Sequence, residues 1–163
     1  MAIDNAIAPP SSGSKIAIGP VAAASDDITA LEGLQYEEVA EIMDIGEFGE
    51  QYEVVQYISL ATRRVRKRKG TYDSGDVTIM MGHDLVNDTG QKKLRDVRHS
   101  DSSYAVRITL NDAPEGGTAT KYYCVAKVMS FRGNIGGPNG SVQSQAQLAI
   151  DSDILVKVAA EAA

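Results

Sequence analysis

The chain has 163 residues, a hydrophobic content of 43% and a formal net charge of −6. This length suffices for one domain with its own core and excludes two domains of ordinary size. Aromatic residues make up only 6% of the chain, with no Trp, so a cavity that grips a large ligand between aromatic walls is not expected and binding should use broad surfaces.

The first fifteen residues, Met1 to Lys15, are rich in Ala, Pro, Ser and Gly and show no periodicity. They predict a flexible arm that is disordered alone or ordered only against a neighbour. This stretch lacks the basic and apolar regions of a secretory signal, and no apolar run approaches the roughly 20 residues of a membrane span. The chain is therefore expected to be soluble and cytoplasmic when made. A single cysteine, Cys124, excludes an internal disulfide framework and is predicted to be a small buried hydrophobe.

Charge is distributed unevenly along the chain. Residues 1–62 contain eleven acids and one base, whereas residues 63–163 contain fifteen bases and eleven acids. Acids concentrate in residues 36–53, and six of the seven residues from Arg63 to Lys69 are cationic. We predict that these segments pair, either within one subunit across a hairpin or between subunits. The residues expected at this interface are Arg63, Arg64, Arg66, Lys67, Arg68, Lys69, Glu37, Glu41, Asp44, Glu47, Glu50 and Glu53.

Alternation of apolar and polar residues predicts several strands after the basic segment. The clearest runs from Ser141 to Ile150, where Val142, Ser144, Ala146, Leu148 and Ile150 alternate with a neutral polar row that includes Gln143, Gln145 and Gln147. Turn residues separate this strand from the others. Together they predict a mostly β domain of about eight strands, which include residues 77–81, 104–110, 121–132 and 154–158.

One helix is predicted between the strands, over about residues 89–99. Asp88 is expected to cap its start, with Gln91 three residues on as the partner in a weak capping box. Leu94 and Val97 form a narrow apolar pair on an otherwise basic surface. A short helix lying on the sheet is therefore expected.

No pattern in the sequence indicates catalysis. His83-Asp84 lacks further ligands to complete a metal site, and the adjacent His99, Ser100, Asp101 and Ser102 favour a polar turn over a catalytic group. Neither a P-loop nor a dinucleotide fingerprint is present. We therefore predict no enzyme activity, no catalytic residues, no metal and no cofactor. Because complementary patches on different faces of one protein propagate into rings or filaments, self-assembly is the leading hypothesis.

A family resemblance supports the same hypothesis. Residues 36–97 resemble the major tail tube protein of long, non-contractile-tailed bacteriophages, the siphophage tail tube family. With the β-rich continuation to Val158, the likeness covers about 120 residues. The shared features occur in order: a strand ending at Ile45-Gly46, a variable segment through Phe48 and Gly49, Lys69-Gly70 closing a strand, the turn Asp73-Ser74-Gly75, a hydrophobic strand, and a short helix beginning near Gln91.

The resemblance implies a fold and a function. The expected fold is mainly β, a β-sandwich or barrel-like arrangement of antiparallel sheets with one short flanking helix, the N-terminal arm 1–15 and a long loop at about residues 46–62. The expected function is a structural virion protein that forms hexameric rings, stacked as the hollow phage tail tube through which the genome is delivered. The loop and the arm would grip the adjoining ring.

The resemblance also implies partners and a location. These are other copies of the chain, the tail tip or initiator, the tape measure and the tail terminator proteins, with no membrane. DNA would pass through without specific binding, in a virion assembled in the host bacterial cytoplasm. Gln143, Gln145 and Gln147 would face the lumen, whereas Arg64, Arg66 and Arg68 would pair with acids of residues 36–53 or face away from it.

Two other functions stay open from the sequence. One is a monomeric β-sandwich binding module, such as an adhesin or a carbohydrate-binding domain, with loops at residues 47–53 and 133–140 and with Tyr52, Tyr57 and Tyr72 as available aromatics. The other is a nucleic-acid-binding protein that uses residues 63–69, which the neighbouring carboxylates disfavour.

Overall fold

A computed structural model describes residues 8–162, so residues 1–7 of the predicted arm lie outside the described residues. The rest of the arm is described: the Ser12 carbonyl accepts from the side chain of Asn111, and Lys15 begins the first strand. Within this range the chain forms ten strands and two short helices. The elements are β1 (Lys15–Val21), α1 (Ile28–Glu32), β2 (Glu37–Val39), β3 (Ile42–Asp44), β4 (Gln51–Ile58), β5 (Val65–Asp73), β6 (Asp76–Gly82), α2 (Thr89–Val97), β7 (Tyr104–Thr109), β8 (Lys121–Asn134), β9 (Gln143–Ile150) and β10 (Leu155–Lys157).

Eight of the strands form one antiparallel sheet that rolls up. Their order is β2-β1-β7-β8-β9-β6-β3, with β10 paired to β8 outside this path. β2 and β3 lie at opposite ends of the path, yet only Ala40 and Glu41 separate them in sequence. Because an extended chain spans at most about 3.6 Å per residue, the two sheet ends lie within about 11 Å of each other. The predicted mainly β class with antiparallel sheets is confirmed, and the strands do not close into a barrel.

The inner face of the rolled sheet holds the main core. Strands β1, β6, β7, β8 and β9 contribute buried apolar side chains to it, and Leu94 of α2 packs against them. Cys124 belongs to this core with 4% exposure, as predicted, and burial raises the pKa of its thiol to about 12. A smaller cluster forms where Leu31 of α1 packs with Ala105, Tyr123 and Val125.

Helix α2 begins at the predicted cap. The Asp88 carboxylate accepts hydrogen bonds from the amides of Gly90 at 3.0 Å and Ala40 at 2.8 Å, which ties the helix to the end of β2. Gln91 does not complete a capping box. Its fully buried side chain instead bonds to Ala40, Gly82 and Asp84, because backbone groups where the sheet ends meet would otherwise lack partners.

The predicted strands after residue 76 are confirmed as β6 to β10. Within the predicted loop over residues 46–62, the eight residues Gln51–Ile58 form a strand, β4. β4 was not predicted because all eight of its residues are exposed, so no alternation of buried and exposed positions marks it. Val142, predicted on the buried row of β9, precedes the strand and is exposed.

Candidate assembly surfaces

Strands β4 and β5 pair only with each other and form a separate two-stranded hairpin. Every residue of β4 is exposed, and in β5 only Gly70 is partly covered. Two-stranded hairpins are marginally stable in water, so a bare one is a candidate for coverage by a partner. Among the described residues, eight of the seventeen exposed large hydrophobic side chains belong to this hairpin: Tyr52, Val54, Val55, Tyr57, Ile58, Leu60, Val65 and Tyr72.

One face of the hairpin carries arginines. The register places Arg66 opposite Tyr57 and Arg68 opposite Val55. Directly opposite residues share a face of an antiparallel pair, so these four side chains form one surface. The Arg68 guanidinium lies 5.5 Å from the centroid of the Tyr57 ring, a cation–π contact.

The other face carries lysines and apolar side chains. Lys67 lies opposite Gln56 and Lys69 opposite Val54. The Lys69 ammonium lies 4.6 Å from the centroid of the Tyr52 ring. The sequence segment from residue 63 to 69 therefore presents cations on both sides of a thin, exposed sheet.

The structure does not pair these cations with acids inside the subunit. Among residues 8–162, none of the ion pairs includes a cation from Arg63 to Lys69. The hairpin register explains this result, because it sets valines, glutamine and tyrosine opposite the cations. Pairing between subunits stays a prediction. Several predicted acids have other partners in the subunit: Glu37 lies 3.9 Å from Lys93, Asp44 accepts from the amide of Gly46, and Glu50 accepts from the amide of Ile154.

The remaining predicted acids lie along the chain that leads into the hairpin. Glu41 sits in the link between β2 and β3 with a φ of 55°, and its carbonyl accepts from the amide of Gly82. Glu47 is exposed between β3 and β4. Glu53 lies at the register irregularity between Tyr52 and Val54. The structure therefore spreads these three carboxylates along one exposed stretch instead of gathering them.

Hydrogen bonds hold the base of the hairpin to the loop after β9. The Tyr72 hydroxyl donates to Asp153 at 2.7 Å, and this bond raises the pKa of Tyr72. The buried Ser74 hydroxyl donates to the carbonyl of Ser152 at 2.8 Å. The hairpin is thus fixed at its base while its strands stay exposed.

A second bare surface lies on the outer face of β9. Gln143, Gln145 and Gln147 point away from the core, while Ser144, Ala146, Leu148 and Ile150 are buried, as the alternation predicted. The neighbouring strands place Thr78 and Ser130 opposite Gln147, and Met80 and Arg132 opposite Gln145. The centre of this surface is therefore polar and mostly uncharged; whether it faces a lumen stays a prediction.

The residues considered for metal binding make other contacts. Within residues 8–162, no three His, Cys, Asp or Glu side chains lie close enough to hold a metal ion. Nδ1 of His83 lies 2.7 Å from the hydroxyl of Ser144. Asp84 accepts hydrogen bonds from the amides of Asn87 and Val86, which lower the pKa of its carboxyl group. Neither helix in this range has the length and apolar character needed to cross a membrane.

Sequence reasoning missed the apolar residues of the hairpin. Val54, Val55, Tyr57, Ile58 and Leu60 were assigned to a loop, although β-branched and aromatic residues favour strands. The available signal was a run with apolar residues at both parities, followed within a few residues by a second extended segment. Such a run favours a two-stranded hairpin over a loop.

Comparisons with known proteins identify the fold. No family model matches the sequence, and no curated protein matches it. A chain from the cryo-EM structure of the PVC sheath/tube terminator, of an extracellular contractile injection system in its extended state, superposes with a TM-score of 0.68 at 12% identity, over 96% of this chain and 100% of that chain. A chain from the cryo-EM structure of the anti-feeding prophage baseplate superposes with a TM-score of 0.64 at 13% identity, over 97% of this chain and 98% of that chain.

A third similar structure is the SPP1 tail tube, determined by solid-state NMR and cryo-EM. It superposes with a TM-score of 0.59 at 14% identity, over 91% of this chain and 80% of that chain. At these identities the likeness shows the fold. The chain therefore shares its fold, over nearly all of its length, with chains from tail tube and injection-system structures.

Proposed function

We propose that this chain is the structural subunit of a phage tail tube, in which hexameric rings stack into a hollow conduit for genome delivery. The observation that carries the proposal is the projecting hairpin, exposed on both faces, within a fold shared with chains of tube assemblies. A subunit that leaves so much apolar and cationic surface bare in isolation is suited to association with copies of itself.

Charge supports contacts between rings. Among residues 8–162, the cations of Arg63 to Lys69 form no ion pair with an acid, and the acids of residues 41–53 lie exposed along the stretch that leads into the same hairpin. An exposed ion pair contributes only about 0.2 to 1 kcal/mol. Repetition around a ring multiplies that contribution, and screening by salt should weaken it.

The outer face of β9 fits the wall of a channel for DNA. A conduit for a polyanion should offer few fixed cations, because Lys and Arg contacts to phosphates produce tight, salt-dependent binding. Gln143, Gln145 and Gln147 offer neutral amides, and the amide of Gln147 already donates to Asp76 at 3.0 Å. In this proposal the hairpin arginines lie between subunits and DNA slides past the glutamines.

The proposal includes the location and partners that the sequence resemblance implies. The chain would reside in the virion after assembly in the host cytoplasm, in contact with initiator, tape measure and terminator proteins, and would have no enzymatic activity. We retain the non-contractile type of tail on the basis of the sequence resemblance, since the shared fold extends to chains of contractile injection systems. The part of the predicted arm outside the described residues, 1–7, would contact the adjoining ring and so delay premature growth.

Electron microscopy tests the proposal directly. Concentrated purified protein, examined by negative staining with and without preformed seeds, should show rings or tubes of uniform diameter with a central channel. Monodisperse small particles under every condition would contradict the proposal. Symmetry analysis of ring images then measures the number of subunits.

One observation favours a second candidate function. Cations that make no ion pair with any described residue, interleaved with Tyr52 and Tyr57 on an exposed ribbon, also suit binding of a nucleic acid. Fluorescence anisotropy with labelled DNA over a salt series distinguishes the two functions. Tight, steeply salt-dependent binding by small particles would favour the nucleic-acid-binding protein over the tube subunit.

A further inference from the structure

Four basic side chains that are far apart in the sequence lie together on the outer face of the main sheet. One row of directly paired residues crosses β1, β7, β8 and β10 on this face: Lys15, Thr109, Lys121 and Lys157. Arg107 lies two residues before Thr109 on β7, and it shares this face because side chains alternate along a strand. The fold therefore gathers Lys15, Arg107, Lys121 and Lys157 into one cationic cluster.

Acids neutralise only half of the cationic cluster. Lys15 pairs with Glu38 at 3.2 Å, and Lys157 pairs with Glu32. Within residues 8–162, the other two cations of the cluster form no ion pair. Four cations and two acids leave a charge of +2. In addition, Lys121 lies directly opposite Lys157, and like charges in that arrangement destabilise a sheet.

Arg107 is held in one orientation, but its donors lack partners. The guanidinium carbon lies 4.7 Å from the centroid of the Tyr36 ring, a cation–π contact. The Nε atom of Arg107 is buried and has no hydrogen-bond acceptor among the described residues. A buried donor without an acceptor is uncommon and costs free energy. The guanidinium is thus preorganised for an acceptor that the described part of the subunit does not supply.

The hydroxyl of Tyr123 lies among the charges of the cluster. Tyr123 is directly opposite Arg107 and only 1% exposed, and no hydrogen bond joins its hydroxyl to another described residue. Burial raises the pKa of Tyr123, Glu32 raises it further, and the nearby cations Arg107 and Lys157 lower it. Lys121 precedes Tyr123 by two residues on the same face of β8. A phenol hydroxyl, a guanidinium and an ammonium therefore occupy neighbouring positions on a rigid sheet.

We infer that Arg107, Lys121 and Tyr123 bind a phosphate dianion, either inorganic phosphate or the terminal phosphate of a small ester. The guanidinium donates parallel hydrogen bonds to two phosphate oxygens, and the phenol hydroxyl donates to a third. The ammonium of Lys121 neutralises charge. A carboxylate has fewer oxygens and a single charge, so it would match the excess of +2 less well. Bound phosphate also offsets the repulsion between Lys121 and Lys157. This inference concerns each subunit by itself and does not depend on the proposed tube function.

Equilibrium dialysis against labelled inorganic phosphate tests the site, whether the protein is present as small particles or as tubes. At about pH 7.5 phosphate is mostly dianionic, and chloride keeps the ionic strength constant. We expect saturable binding that Lys121→Gln and Tyr123→Phe each weaken by at least about fivefold, since each removes a donor to a charged group. Lys127→Gln, partly exposed on the same strand, and the exposed Tyr57→Phe are the matched controls and should change the Kd by less than about twofold.

Competition identifies the class of ligand. Unlabelled glycerol phosphate should displace the label, whereas dimethyl phosphate and acetate, each with a single charge, should do so at least about tenfold less well. Equal displacement by acetate would assign the site to a carboxylate and overturn the inference. Equal displacement by dimethyl phosphate would assign it to a phosphodiester, as in DNA, and would also overturn it.

Two further outcomes would contradict the site itself. If Arg64→Gln abolished binding while Lys121→Gln did not, the phosphate would belong to the hairpin. If Lys127→Gln weakened binding as much as Lys121→Gln, the protein would attract phosphate only through its general charge. Either result would overturn the inference, and electron micrographs of the same samples would still decide the tube function separately.

Discussion

The side-chain amide nitrogen of Gln91 lies 2.8 Å from the carbonyl oxygen of Gly82, where the end of β6 meets the first turn of α2. The same nitrogen lies 3.3 Å from the carbonyl oxygen of Ala40, after β2, and the side-chain oxygen accepts from the amide of Asp84 at 3.1 Å. One fully buried side chain therefore joins both ends of the rolled sheet to the helix.

Replacing Gln91 by methionine should destabilise the subunit. Methionine fills similar space but leaves the partly buried backbone bonds to Gly82, Ala40 and Asp84 unmade, and an unsatisfied buried group costs about 1 to 3 kcal/mol. We expect a loss of about 2 to 4 kcal/mol in the free energy of unfolding, measured by urea denaturation. The exposed Gln145→Met is the control and should change stability by less than about 0.5 kcal/mol. Equal losses in the two variants would contradict this role of Gln91.

Gly90 permits close approach of α2 to β2. A Cβ at this position would lie 2.4 Å from the carbonyl oxygen of Glu38 and 2.9 Å from the Cα of Val39, both backbone atoms that cannot move aside easily. Gly90→Ala should therefore cost about 1 to 3 kcal/mol of unfolding free energy, against the usual gain from alanine in a helix. Gly137→Ala, where the added Cβ meets nothing within 4 Å, is the control. A stabilised Gly90→Ala variant would show that the helix is not seated as described.

Alkaline pH should destabilise the fold through Tyr36. Burial raises the pKa of this side chain from 10.0 to about 12, and its hydroxyl donates to the carbonyl of Leu31 at 2.7 Å. Since the folded pKa exceeds the unfolded value, the stabilisation is fully present below pH 10 and is lost as the pH rises through about 12. Denaturation measured across this window should show a steeper decline for the native sequence than for Tyr36→Phe. The exposed Tyr57→Phe should follow the native curve.

Charge reversal tests contacts between subunits. Changing Arg64, Arg66 and Arg68 to Glu should block tube growth, because the new carboxylates on the hairpin would repel the acids of the neighbouring subunit. Changing Glu47, Glu50 and Glu53 to Lys in the same chain should restore growth in part, since Glu50 also holds the amide of Ile154. Light scattering follows the rate, and high salt should slow growth of the native sequence. If the variant with Glu at positions 64, 66 and 68 grew tubes at the native rate, assembly would not depend on these charge pairs.

The glutamine row offers a test of the channel surface. Gln145→Lys adds a cation at an exposed position of β9 and should leave the stability of the subunit unchanged within about 0.5 kcal/mol. Tubes of this variant should retain DNA that native tubes release, measured by filter binding at low and high salt. Lys placed instead at Val86, outside β9, should have no such effect. If tubes of the two variants released DNA equally, the outer face of β9 would not line the lumen.

Most of β6 to β9 could be predicted from the sequence, because each of these strands has buried residues, and β6 and β9 alternate them with more exposed ones. Asp88 was found as a helix cap because a cap depends on local chemistry. By contrast, the rolled arrangement could not be predicted, since it depends on β2 and β3 separating to opposite ends of the sheet across two residues. No local preference encodes that separation.

One candidate surface could be predicted from the sequence more completely than the other, for a physical reason. The glutamine row was predicted because it alternates with a buried row in the same strand. The cations of Arg64 to Lys69 were readable as a charged segment, but their register against Val55 and Tyr57 was not, because β4 has no buried face to specify it. Surfaces that are completed only by a partner leave a weak trace in the sequence of one subunit.

The two short strands at the ends of the sheet have a consequence for subunits that wait before assembly. β2 and β3 have three residues each and belong to one stretch of eight residues, Glu37 to Asp44, which covers both long neighbours, β1 and β6. Short edge strands offer another chain few unpaired backbone groups for strand pairing. If this stretch came loose, β1 and β6 would be uncovered together, so the opening of one short segment would offer two further strand edges to other chains.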